Sequence, residues 1–149
     1  MNQMEVKFDA VLENEAFART VVASFIAPTN PTMDELIEIK TMVSEGIANA
    51  IIHGYEGIQK QKVYVSVVID QRIVEIIIED KGKGIDNIEQ AREPLFTTKA
   101  NLERSGMGLT IIESLSDHFE IHSKVGEGTK LVIQKRLRDI HSFEHGNKN

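Results

Sequence analysis

The chain opens on an alternation. Met4, Val6, Phe8 and Ala10 are apolar and the residues between them polar, a period of two that predicts a half-buried first strand. From about Glu13 to Ala27 the period lengthens, and Phe17, Val21, Val22, Phe25 and Ile26 form one side of an expected amphipathic helix. Asn30-Pro31 breaks it. Thr32-Met33-Asp34-Glu35 has the spacing of a capping box, so Thr32 is the expected start of the next helix. Leu36, Ile39, Val43, Ile47 and Ala50 then recur at about 100° per residue as its core stripe. This helix is expected to reach about His53, with Gly54 as its stop.

Val63 to Ile69 and Ile73 to Asp80 are dense in β-branched residues and separated by Asp70-Gln71-Arg72, which predicts a hairpin. Lys81 to about Ser105 shows little periodicity beyond a short helix near Asn87 to Arg92. Stretches of that length in compact domains are often lids or binding segments. Leu109, Ile112 and Leu115 mark the core face of a helix after Gly106. Phe119 to Val125 and Thr129 to Leu137 make a last hairpin around Gly126-Glu127-Gly128. Without the strand–helix alternation of a doubly wound fold, the expected class is α+β: a mixed, mostly antiparallel sheet with helices on one face. One domain is expected over residues 1–137, followed by a polar, fraying tail over 138–149.

Composition narrows the function classes. A chain of 149 residues has room for one domain, and its net charge of -6 gives no bulk support for binding nucleic-acid phosphates. The absence of cysteine excludes disulfides and thiolate metal sites. Met1 to Ala10 carries Glu5, Lys7 and Asp9, so it lacks the apolar core of a signal peptide. No stretch approaches the roughly 18 apolar residues of a membrane span. The expectation is a soluble, cytoplasmic protein with neither membrane nor direct nucleic-acid contact. His53, His118, His122, His141 and His145 show no metal-ligand spacing.

Four stretches hold candidate chemistry. Glu45 and Asn49, four apart, share one helix face away from the core stripe. A carboxylate there can accept a hydroxyl proton, and an amide oxygen suits Mg²⁺, a hard cation; a solvated helix face would show the same two residues. Asp80-Lys81-Gly82-Lys83-Gly84 follows an apolar strand. Its glycines allow close backbone approach, and its aspartate can accept a hydrogen bond from an exocyclic amine, although a plain two-glycine turn fits too. Arg104-Ser105-Gly106-Met107-Gly108-Leu109 leads into a helix, whose free N–H groups suit phosphates, with Arg104 adding charge. Gly126-Glu127-Gly128-Thr129 is better explained as a hairpin turn, with Thr129 in reach of a nucleotide. Neither the P-loop nor the dinucleotide glycine spacing is present.

In this order the motifs resemble the GHKL (Bergerat-fold) ATP-binding superfamily over nearly the whole chain. Glu45 and Asn49 match its N-box, Asp80-x-Gly82-x-Gly84 its first glycine box, Gly106-x-Gly108-Leu109 its second, and Gly128-Thr129 its late strand motif. Asn14-Glu15-Ala16-Phe17-Ala18-Arg19, Pro31 to Leu36, Asn49 to Tyr55 and Pro94 to Lys99 look like the anti-sigma-factor serine kinases of sporulation. Glu56-Gly57-Ile58-Gln59 departs from a more Asn-rich stretch in that family.

The resemblance implies a two-layer sandwich with a nucleotide lid, ATP and Mg²⁺ as cofactors, and a homodimer. It also implies two partners: a sigma factor held inactive, and an anti-anti-sigma antagonist phosphorylated on serine. By the same resemblance Glu45 is the catalytic base, Asn49 the Mg²⁺ ligand and Asp80 the adenine reader, with Gly82 and Gly84 closing over the base. Thr97, Thr98, Arg104 and Ser105 belong to the lid, Gly106 and Gly108 lie at the phosphates, and Arg19 docks partners. Three alternatives stay open: a stress-response kinase with the same motifs, a non-catalytic module that uses ATP to shape a sequestering surface, and a sensor histidine kinase fragment. The last lacks the helix pair bearing a phosphoacceptor histidine.

Overall fold

A computed structural model of the chain describes residues 1–56, 60–92 and 108–140. Five strands, β1 (Asn2–Asp9), β2 (Lys62–Asp70), β3 (Ile73–Asp80), β4 (His118–Lys124) and β5 (Gly128–Arg136), form one sheet in the order β1-β2-β3-β5-β4. All four pairings are antiparallel, so the described sheet is antiparallel throughout where the sequence allowed a mixed one. Helices α1 (Asn14–Ile26), α2 (Met33–Asn49) and α4 (Gly108–Leu115) form the second layer, with α2 packed between the other two. The short α3 (Ile88–Ala91) precedes residues 93–107.

The alternation of β2 and β3 sends Val63, Val65, Val67, Val74, Ile76 and Ile78 to the covered face, where each is buried. Ile39, Met42, Val43 and Ile47 of α2 close over them, joined by Ala18, Val22 and Ile26 of α1 and by Leu109 and Ile112 of α4. The α1 stripe is rotated from the expected one. Phe17 is 48% exposed while Ala18 is buried, because a small residue lets α1 lie close to α2. Phe17 instead meets Phe8 edge to face, ring centroids 6.2 Å apart.

The capping box forms as expected: Glu35 N–H donates to Thr32 Oγ1 at 3.0 Å, and Thr32 N–H to Glu35 Oε1 at 2.8 Å. The other end of this helix differs from expectation. α2 ends at Asn49, a π-helix continues over Ala50–Tyr55, and Glu56 stops it in the left-handed region at φ 48°. Gly54 is therefore inside the helical run, not at its stop. A side chain there would put Cβ 2.8 Å from the Asp80 carboxyl group. The β2–β3 turn is two residues, Gln71 (φ 49°) and Arg72 (φ 70°), both left-handed without glycine or asparagine.

Candidate functional site

The strand register assembles the site. Asp80 pairs with Thr129 across β3 and β5, and Thr129 with Ser123 across β5 and β4. The three side chains thus stand in one row on the helix-covered face. Asp80 is 3% exposed. Its Oδ1 accepts Gly82 N–H at 2.9 Å, and the Thr129 N–H also bonds to the carboxyl group. Burial nevertheless dominates and pushes its pKa up to about 6.

The chain packs around that carboxyl group with no room for side chains. A Cβ on Gly82 would lie 2.0 Å from the Gly54 carbonyl oxygen, and one on Gly128, where φ is +108°, 2.1 Å from the Asp80 carbonyl oxygen. Lys83 N–H donates to the Gly54 carbonyl at 2.9 Å. Gly84, at φ +79°, turns the chain against the Lys124 carbonyl. Tyr55 fastens this turn from the π-helix: its hydroxyl accepts Lys81 N–H at 2.7 Å and donates to the Lys62 carbonyl at 2.5 Å. Nothing in the motif pattern singled out Tyr55, although it directly follows Gly54.

One to two turns back along α2 are Asn49 and Glu45, both half-buried. Glu45 faces the start of α4, where a Cβ on Gly108 would stand 3.1 Å from Glu45 Oε2. The start of α4 therefore lies beside Glu45, and the chain after β3 lies beside Gly54 further along the same helical run. Thr97, Thr98, Arg104, Ser105 and Gly106 lie outside the described residues. Arg19 sits on α1 with its guanidinium 4.0 Å from Glu15, and its side chain is 39% exposed.

Sequence reasoning also missed Arg92, which joins α3 to α4 and β4. Its Nη2 donates to the Phe119 carbonyl at 3.2 Å and pairs with Glu113 at 2.9 Å, and its guanidinium lies 5.4 Å from the Phe119 ring centroid. Its carbonyl accepts the Thr110 hydroxyl at 2.7 Å. A lone arginine at the end of a four-residue helix gives no periodic signal.

An open cleft of about 270 Å³ at this end of the sheet is lined by Asp80, Ser123, Gly128 and Thr129 of the site together with Glu79, His122, Lys124, Glu127 and Lys130. Glu79, Lys130 and His122 form the next register row, which points to the opposite face of the sheet from the Asp80 carboxyl group. Among the described residues no group of three or more His, Asp or Glu could hold a metal ion, and no helix is long and apolar enough to cross a membrane.

A buried carboxylate ringed by glycines thus stands at the foot of a helix bearing Glu and Asn. The histidine kinase-like ATPase domain model matches residues 8–135, and the chain belongs to that family. Its relatives narrow the class. It is 55% identical over 136 residues to the anti-sigma F factor of Anoxybacillus flavithermus, covering 91% of this chain and 93% of the relative. The anti-sigma F factor of Priestia megaterium is 54% identical with the same coverage, and that of Bacillus cereus 52% identical over 95% of this chain and 97% of its own. By these relatives the chain is a member of the anti-sigma F factor family. The crystal structure of the RsbU and RsbW domains of Rv1364c from Mycobacterium tuberculosis shares the fold, with a TM-score of 0.68 at 18% identity. That match covers 93% of this chain and 34% of the other.

Proposed function

We propose that this chain binds ATP with Mg²⁺ and acts as an anti-sigma factor and protein serine kinase. It sequesters a sporulation sigma factor and phosphorylates that factor's anti-anti-sigma antagonist on serine. The observation that carries this reading is the Asp80 cradle: a buried carboxylate closed in by Gly54, Gly82 and Gly128, in line along α2 with Asn49 and Glu45. The residues fit the nucleotide. Asp80 accepts a hydrogen bond from an exocyclic amine, Gly82 and Gly84 let backbone lie against a flat base, and the Asn49 amide oxygen suits a hard cation. Mg²⁺ characteristically combines few protein ligands with phosphate oxygens and water.

ATP supplies the phosphoryl group, and the chain supplies alignment and charge. Glu45 holds its carboxylate where a serine hydroxyl can pass its proton to Oε2. Gly108 leaves that carboxylate room and presents the first backbone of α4 beside it. Thr97, Thr98, Arg104, Ser105 and Gly106 are assigned to closing over the phosphates and neutralising them. Arg19, partly exposed on α1 near the exposed Phe17, is assigned to partner docking, in a cytoplasmic homodimer.

Glu45→Ala tests the chemistry. Loss of a general base should slow phosphate transfer to the antagonist's serine by about 10²–10⁴-fold. ATP affinity should change by less than about threefold, the equivalent of under 1 kcal/mol. The readout is phosphoserine by mass spectrometry together with a nucleotide titration. Transfer at the parent rate would remove Glu45 from the reaction. No phosphoserine from the parent chain, with sigma-factor binding intact, would mark a sequestering module and not a kinase.

A further inference from the structure

Ser123 was not among the motif residues, yet its hydroxyl has three partners. The Oγ accepts Ile85 N–H at 2.7 Å, lies 2.8 Å from Thr129 Oγ1, and reaches the Gly128 carbonyl oxygen at 3.1 Å. A serine hydroxyl has one proton and two lone pairs. The Gly128 carbonyl can only accept, and the Ile85 N–H can only donate. All three contacts are hydrogen bonds at once in a single arrangement: Ser123 donates to Gly128, and Thr129 donates to Ser123. The Thr129 proton is then committed, and its hydroxyl can offer lone pairs alone to anything beside Asp80. The neighbouring Asp80 carboxylate, when ionised, is acceptor-only as well.

We propose that Ser123 is a positioning residue that fixes the hydrogen-bond sense of Thr129, so that the row Asp80–Thr129 presents acceptors and selects a 6-amino purine over a 6-oxo purine. This rests on the assignment of the Asp80 cradle as the base site. A 6-amino group donates to both acceptors, directly or through water. A 6-oxo group would bring a third acceptor against them and leave it unsatisfied. Ser123 has a second task in the same place, because its bond to Ile85 N–H anchors the chain just beyond Gly84.

The test uses the full chain with Mg²⁺ and two probes, ATP and inosine triphosphate, which differ in the 6-amino and 6-oxo groups. Dissociation constants are measured for both, and their ratio is the readout. A partly unfolded population scales both constants equally and leaves the ratio unchanged. Ser123→Ala frees the Thr129 proton to donate, so the preference for ATP should fall about fivefold, the worth of one ordinary hydrogen bond. Ser123→Thr keeps the hydroxyl and should restore the preference. In a Thr129→Val background Ser123→Ala should produce no further change, since Ser123 acts through Thr129. If the alanine variant does not fold, Ser123→Cys, similar in size and a weak hydrogen bonder, takes its place.

Equal weakening of both ligands by Ser123→Ala, or a lost preference that Ser123→Thr does not restore, would overturn the proposal. Asp80→Asn separates this from the underlying assignment. Unchanged affinity for both nucleotides in that variant would dismiss the base site itself, whatever Ser123 does.

Discussion

At the scale of single residues the site is set by burial set against hydrogen bonding. Asp80 has two backbone N–H donors and still titrates near 6, because its surroundings leave little water to solvate the charge. The ionised carboxylate is the stronger acceptor for an amine, so ATP affinity should hold above about pH 7 and fall as pH drops through 6. Calorimetry around pH 6 should show protons released on binding, a release missing from Asp80→Asn. The same shift has the opposite sign for the empty fold. The folded value of about 6 lies above the ordinary 3.8, so ionisation costs the fold stability, a cost absent below 3.8 and complete above 6. Urea titrations should therefore show Asp80→Asn gaining on the parent chain as pH rises across that window. An unchanged gap would mean that the carboxyl group titrates normally.

Tyr55 belongs to the same scale. Its hydroxyl serves two backbone groups, that of Lys62 in β2 and that of Lys81 just after β3, from a residue that is 2% exposed. Tyr55→Phe leaves the Lys81 N–H and the Lys62 carbonyl without that partner and should cost about 1–3 kcal/mol in denaturant titrations. ATP affinity should fall with it, because Lys81 leads directly into Gly82. A variant as stable as the parent would show that water replaces the hydroxyl.

At the scale of elements, what could be read from the sequence was what periodicity and caps encode. The two hairpins, the three main helices and the Thr32–Glu35 box followed from local pattern. The change from α- to π-helix after Asn49 did not. Gly54 suggested a stop and nothing in the pattern marked a widening, yet the π-helix brings Gly54 and Tyr55 to Asp80 and the turn after it, far along the chain. The Gln71–Arg72 turn was equally silent, because its support is tertiary: Arg72 donates to the carbonyls of Thr29 and Arg138, and its own carbonyl accepts Leu137 N–H at 2.7 Å. Gln71 has no such support and is exposed. Gln71→Gly should relieve its left-handed backbone and stabilise the chain by about 0.5–1 kcal/mol. Arg72→Gly relieves the same strain but removes side-chain bonds, and should come out less stable than Gln71→Gly in the same denaturant titration.

At the scale of the molecule, a sheet of order β1-β2-β3-β5-β4 places the end of β3 beside the start of β5, so Asp80 and Thr129 become neighbours. α2 crosses above them, between α1 and α4, and brings Glu45 to Gly108. The candidate site was legible where the family motifs name residues: Glu45, Asn49, Asp80, Gly82, Gly84, Gly108 and Thr129. It was not legible at Tyr55, Arg92 and Ser123, whose roles consist of bonds to backbone groups that only the assembled sheet brings near. Ligand binding to such a pre-formed row should stabilise the whole domain, by about 2.7 kcal/mol at a hundredfold excess of ATP over its dissociation constant.

Whether these separated segments enclose one magnesium-nucleotide can be read from backbone N–H chemical shifts followed during titration with Mg²⁺ and ATP. Gly54, Gly82, Gly84, Gly108 and Thr129 should shift together along one saturation curve, while the strand-end residues Glu79, His122 and Lys130 on the opposite sheet face should move little. Shifts confined to that opposite face, or no saturating change at the five positions, would contradict that enclosure.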